Sequence, residues 1–209
     1  MSVLGFFDHL FVINLPMNEQ RMVETEQQLE LHKIPFERLD GVISRRHSSP
    51  TTNGLIGCLL GHLNAVKTAQ KRNYQSVLIA EDDVALRANF NELWSDVAPQ
   101  MPGLKYDLFY FYNWMRPLPL VRPIRANPIK TTLCSHFYAV HSSFFDRYIA
   151  IVERQIALTD PTHLDQLFHA PEVSCVATSY NLAGQRPAFS DIAFDFRNEV
   201  CFGPPHSSS

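Results

Sequence analysis

SVLIAEDDVAL, residues 76–86, joins four apolar residues, Val77 to Ala80, directly to three acids, Glu81-Asp82-Asp83. A short unbroken apolar run reads as a strand covered on both faces, as in parallel sheets flanked by helices. Adjacent carboxylates repel, and each raises the cost of ionising its neighbours unless a cation neutralises them. Oxygen-only ligands favour a hard ion, Mg²⁺ or Mn²⁺, of the kind that bridges to phosphates. Alternation along an extended backbone would set Glu81 and Asp83 on one side and Asp82 on the other. In open parallel sheets ligands bind beyond the carboxyl ends of the strands, which is where these acids fall. An acidic helix N-terminus, favoured by the macrodipole, is the competing explanation.

The flanking sequence supports an alternating pattern. LFVINLP (10–16) is a second buried-strand pattern, ended by proline, and NEQRMVETEQQLELHK (18–33) is rich in helix formers, with Asn18 as a possible N-cap. FERLDGV (36–42) follows as a short strand ending at Asp40-Gly41, which makes a βαβ unit. A polar loop over residues 43–53 leads into a helical pattern from Gly54, whose apolar face carries Leu55, Cys58, Leu59, His62, Val66 and Ala69. Gly57 and Gly61, four apart, either admit another backbone closely or simply weaken the helix start. Downstream, residues 89–97 read as a helix, 104–114 as an aromatic strand, and Arg116–Lys130 as a proline-laden basic loop. TLCSHFYAVHSSFFDRYIAIVERQI reads as strand then helix, HLDQLF (163–168) as part of a short helix, and the stretch from Glu172 as ending in irregular structure.

The chain has 209 residues, 45% hydrophobic and 19% charged, with a net charge of −3. Against a globular average of about 25% charged residues, this excludes a disordered chain and a coiled coil. The near-neutral charge argues against a nucleic-acid partner. Cys58, Cys134, Cys175 and Cys201 have no Cys-x-x-Cys spacing and read as reduced, idle thiols rather than a disulfide framework or zinc site. The apolar start lacks a basic n-region, and no apolar run reaches the roughly 18 residues of a membrane span. The expectation is a cytoplasmic protein with at most peripheral membrane contact, comprising one domain over residues 8–196 and a tail over 197–209.

VINLP with Arg21 following, IPFERLDGV, GLIGCLLGHLNAVKTA, LIAEDDV, HLDQLF and QRPAFSDI (185–192), in that order, resemble glycosyltransferase family 25. That family includes bacterial lipooligosaccharide galactosyltransferases and collagen galactosyltransferase domains. The resemblance implies an α/β, single-domain GT-A-like (Rossmann-like) fold, a mostly parallel sheet flanked by helices. It implies inverting transfer of a hexose, galactose or glucose, from a UDP-sugar to a hydroxyl of a glycan, glycolipid or hydroxylated protein. On this resemblance Glu81-Asp82-Asp83 matches the family's acidic motif, with Asp83 and then Glu81 as ligands of Mn²⁺ or Mg²⁺ on the donor diphosphate. Asp165 matches a late acidic position and is the candidate base, with His163 in reserve; on local sequence alone Asp165 is equally an N-cap. Asn14, Leu15 and Asp40 would flank the base and ribose. Arg21 would reach a phosphate or lie solvated on its helix. His62 matches the family's Ser-His pair, here Gly61-His62 without the serine, and is either catalytic or a satisfied core histidine.

Two other classes compete. A metal phosphohydrolase also uses strand-end acids, but the sequence offers no second metal set and no Lys/Thr phosphate site. A non-catalytic binding module on the same fold would explain the missing serine.

Overall fold

The computed structural model describes residues 2–112, 122–129, 135–190 and 195–197, with the strand residues 188–190 and 195–197 described by backbone alone. Residues 116–121 and 130 of the expected basic loop, Cys134, Cys201 and the tail beyond residue 197 lie outside the described residues.

β1 (His9–Asn14), α1 (Glu19–Leu31) and β2 (Glu37–Asp40) form the βαβ unit, with β1 and β2 parallel and Asn14 opposite Asp40. α1 ends where Lys33 adopts φ 56° and the Ile34 N–H reaches the Leu29 carbonyl, a Schellman closure that turns the chain into Pro35. α2 (Pro50–Lys71) starts earlier than the apolar pattern suggests, because Ser49 caps the Thr52 N–H and Pro50 fills the first turn. β3 (Ser76–Glu81) returns parallel to β1. β4 (Val84–Leu86) and α3 (Phe90–Val97) follow, then β5 (Leu108–Tyr110), β6 (Ala126–Ile129), β7 (Phe137–His141) and α4 (Phe145–Ile156). β8 (Cys175–Thr178), β9 (Ala183–Gln185), β10 (Ala188–Ser190) and β11 (Asp195–Arg197) complete the described strands.

The main sheet has the order β2-β1-β3-β7-β5-β8-β6. β2, β1, β3, β5 and β8 run one way and β7 and β6 the other, so the expected α/β architecture, a mostly parallel sheet flanked by helices, is present. β4 and β9 form a small second sheet. Alternating side chains send Leu10, Val12, Leu78 and Ala80 to a core shared with α1 and α3. Phe11, Val77 and Ile79 face the opposite core, built with α2 and α4. Burial on both faces explains why β1 and β3 are uninterrupted apolar runs.

Three segments differ from the sequence expectation. The segment after Glu172 supplies β8, paired inside the main sheet, and β9 rather than ending irregularly. HLDQLF forms only a single 3-10 turn, Leu164–Gln166, instead of entering a helix. Part of the basic loop is the edge strand β6, where Pro128 is tolerated because one side of the strand needs no ladder bond.

Of the two readings of the α2 glycines, close approach holds. A Cβ on Gly57 would stand 2.3 Å from the Val42 carbonyl oxygen, and one on Gly61 would stand 3.0 Å from Ile13 Cγ2. Glycine at 61 thus lets α2 settle against β1, where a serine would push Ile13 aside. Gly57→Ala is expected to destabilise the fold by about 1–3 kcal/mol through overpacking. That cost exceeds the roughly 1 kcal/mol that alanine returns in helix propensity. Thermal unfolding measures the balance, and an alanine variant more stable than wild type would refute the contact.

Candidate functional site at the strand ends

The carboxyl ends of β1, β2 and β3 meet at one rim, with Asn14 beside Asp40 and Ile13 beside Glu81 in register. β3 stops at Glu81, and Asp82-Asp83 form a turn before β4. The expected alternation therefore ends with Glu81, and the two aspartates share a cation instead of splitting across the sheet. Arg21, from the first turns of α1, ion-pairs with Asp82 and reaches Asp83 Oδ2 at 3.1 Å. Asn14 Nδ2 donates to Asp82 Oδ2 at 2.6 Å and to the Asn18 carbonyl at 3.0 Å. Gln185 Nε2 donates to Asp83 Oδ2 at 2.7 Å. Asp83 Oδ1 is buried with no hydrogen-bond partner.

Glu81 turns the other way. His62 Nε2 lies 3.2 Å from Glu81 Oε1, while His62 Nδ1 is 2.9 Å from the Tyr138 hydroxyl, itself 2.8 Å from that of Tyr148. His62 is thus a buried, doubly bonded side chain whose outer nitrogen meets the candidate site.

These surroundings separate the acids. Burial and the charge of Glu81 push Asp83 up to about 7, against the pull of Arg21 and the Gln185 hydrogen bond. Burial also works upward on Glu81, but the His62 hydrogen bond and the fields of His62, His136 and Arg21 leave it below its ordinary value. Burial raises Asp82 despite Arg21 and Asn14. The surroundings thus favour the ionised form at Glu81 and the protonated form most strongly at Asp83.

Asp165 sits in the 3-10 turn whose N-cap position is His163, so it caps no helix. Its Oδ1 is buried without a partner, and burial, reinforced by the charge of Glu81, raises its carboxyl against the fields of His163 and His169. His163 is exposed. Asp40 is also exposed at the rim, with Arg38 Nε at 3.8 Å, and Leu15 is partly buried next to Gly41. Asn14, Arg21, Asp82 and Asp83 are therefore one bonded group and Glu81 pairs with His62. Asp165 joins them through charge, and Asp40 stands apart in solvent.

The sequence reading gave Gln185 and Arg186 no role. Beside the Gln185 bond to Asp83, Arg186 Nη2 donates to the Asp82 carbonyl at 2.6 Å, the Arg21 carbonyl at 3.1 Å and Thr25 Oγ1 at 3.0 Å. Thr25 Oγ1 donates to the same Asp82 carbonyl at 2.7 Å. Arg186 thereby ties the acidic turn to α1. The only signal was the run QRPAFSDI itself, since an arginine so far along the chain advertises no contact with residue 82.

The family model "Glycosyltransferase family 25 (LPS biosynthesis protein)" matches residues 7–118. Procollagen galactosyltransferase 2 of Homo sapiens is 26% identical over 154 residues, 64% of this chain and 25% of that protein. Procollagen galactosyltransferase 1 of Danio rerio is 24% identical over 143 residues, 58% of this chain and 24% of that protein. The chain spans about a quarter of the length of these curated relatives. Among solved structures, a glycosyltransferase involved in the glycosylation of the major capsid of PBCV-1 aligns with a TM-score of 0.48 at 9% identity, over 81% of this chain and 80% of that one.

Proposed function

Because the chain belongs to glycosyltransferase family 25, we propose that it moves a hexose from a UDP-sugar to an acceptor hydroxyl with inversion, using Mn²⁺ or Mg²⁺. Galactose is the favoured sugar, in keeping with the names of the procollagen galactosyltransferase relatives. The acceptor class is a glycan, a glycolipid or a hydroxylated protein. The observation that carries the reading is the buried, unpartnered Asp83 Oδ1 in the turn just past β3, next to a second carboxylate, on Glu81, that lies below its ordinary value. A hard cation fits that all-oxygen pair, since it would take the electron pair that no donor in the protein takes. When bound, such an ion offsets the negative charge that grows on the departing nucleotide.

The chain's own residues supply the rest. Arg21, Asn14 and Gln185 fix the two aspartates, so that the Asp83 oxygen is held in place before any ligand arrives. Asn14, Leu15 and Asp40 line the rim where the nucleoside would rest, and the exposed Asp40 carboxylate is available to ribose hydroxyls. Asp165 accepts the acceptor hydroxyl proton; its raised carboxyl brings proton affinity closer to neutrality, as a base needs.

A thermal-shift screen of UDP-galactose, UDP-glucose and UDP, with and without Mn²⁺, tests the donor, since a ligand of the native state raises its unfolding temperature. Absence of any shift, together with no UDP release over a panel of glycan, glycolipid and hydroxylated-peptide acceptors, would defeat the reading. Asp165→Asn is expected to lower turnover on the order of 10²-fold while leaving the donor-induced thermal shift in place. Equal loss of donor binding would move Asp165 from base to donor contact.

A further inference from the structure

α2 and β3 bring together three side chains of a different chemistry from the aspartates. One ligand atom each from Cys58, His62 and Glu81 lie within 4.8 Å of one another. Cys58 and His62 are one helical turn apart, so both project from one face of α2 toward the end of β3. We infer that Cys58 Sγ, His62 Nε2 and a Glu81 carboxylate oxygen form a binding site for Zn²⁺, with the fourth position open.

The donor set argues for zinc over the harder ions. Thiolate and imidazole suit Zn²⁺, whereas Mg²⁺ and Mn²⁺ prefer oxygen alone. Tyr138 holds His62 Nδ1 at 2.9 Å and so leaves Nε2 as the nitrogen aimed at the cluster. This is the outer-shell support that metal-binding histidines characteristically have. Burial, and after it the negative charge of Glu81, Asp165 and Asp83, pushes the Cys58 thiol up, so the site takes an ion only by displacing that proton. His62 is buried, while Cys58 and Glu81 keep partial exposure, which gives an ion a path in and leaves room for a water as fourth ligand.

Binding balances simply. The Cys58 S–H bond breaks, its electron pair goes to the metal and its proton to solvent. His62 takes the tautomer with hydrogen on Nδ1, donating to the Tyr138 hydroxyl, and Nε2 gives its lone pair to the ion in place of the hydrogen bond with Glu81. The inference is independent of the donor reading, because it concerns the free chain without nucleotide; the two centres have Glu81 in common.

The test titrates the metal-free chain, without nucleotide, with Co²⁺ as a spectroscopic probe, and then measures Zn²⁺ affinity against a chromophoric chelator. Wild type is expected to show a thiolate-to-cobalt charge-transfer band that Zn²⁺ abolishes and Mn²⁺ does not. Cys58→Ser, at a partly exposed position, is expected to lose the band and to weaken Zn²⁺ binding by at least about 10-fold, with its circular dichroism unchanged. Glu81→Gln is expected to keep the band and weaken binding by a similar factor. Cys175→Ser, which alters a buried thiol elsewhere in the sheet, should change neither. A wild-type chain without the band, or a band and affinity that survive Cys58→Ser, would overturn the site.

Discussion

Asp83→Asn is expected to reduce donor-dependent UDP release by about 10³-fold or more while the protein stays folded. The activity loss follows from the proposed role: metal stabilisation of a leaving group contributes several kcal/mol. Each 1.36 kcal/mol is a factor of ten in rate. That the fold survives follows from the site. Asp83 is 5% exposed, and its Oδ2 already accepts from Gln185 and Arg21. An asparagine oxygen can accept both bonds, with its amide group where the unpartnered Oδ1 now lies. Because burial and Glu81 raise the Asp83 carboxyl from 3.8 to about 7, the neutral form is the one the folded state tolerates best. A raised folded pKa favours the folded state below the ordinary value, and that advantage is lost as pH rises through about 7. Asparagine removes this loss, so the variant should gain on wild type between pH 5 and pH 8 in urea unfolding. Undiminished UDP release would remove Asp83 from the reaction, and a variant that loses ground as pH rises would contradict the burial argument.

The acids were legible in the sequence because their position after an apolar run is a local fact, and the same run gave β3 its place. The βαβ unit and both helix-flanked faces were legible for the same reason: uninterrupted apolar strands need cover on each side. The partners of the acids were not legible. Asp82 and Asp83 were expected to follow the alternation of a strand, but the chain turns there, so both reach Arg21. Nothing local to Arg21 distinguishes a solvated helix arginine from one that neutralises two aspartates sixty residues away, and Arg186 is more distant still. β8 was missed for a similar reason. Cys175–Thr178 is too short to stand out by pattern, and its identity as a strand comes from β5 and β6 on either side. The juxtaposition of Cys58 with His62 and Glu81 was not legible either, because the three are split between a helix and a strand; spacing alone reveals only the helical pair.

Loss of Arg21 is expected to be the most damaging single change to stability at this rim. Arg21→Ala removes the cation from two carboxylates that are each 5% exposed. Breaking a buried pair from one side leaves uncompensated charge and costs about 3–5 kcal/mol. Arg186 compensates only in part, since its Nη2 is held by the Asp82 and Arg21 carbonyls and Thr25 while its charge acts on both aspartates from there, and the chain relieves the rest by protonating the aspartates. Without Arg21 both folded pKa values rise further above 3.8, because its charge no longer pulls both down, burial remains, and only the Asn14 and Gln185 hydrogen bonds and the charge of Arg186 still oppose it. The variant's stability should therefore be nearest to wild type in acid and should fall behind as pH rises toward 8. Arg21→Lys should recover only part of the loss, since a point ammonium cannot span two carboxylates as a guanidinium does. Urea unfolding of the three proteins at pH 5 and pH 8 reads both effects. If Arg21→Ala matched wild type at pH 8, the guanidinium would not be neutralising the aspartates, and it would return to candidacy as a ligand of the donor phosphates.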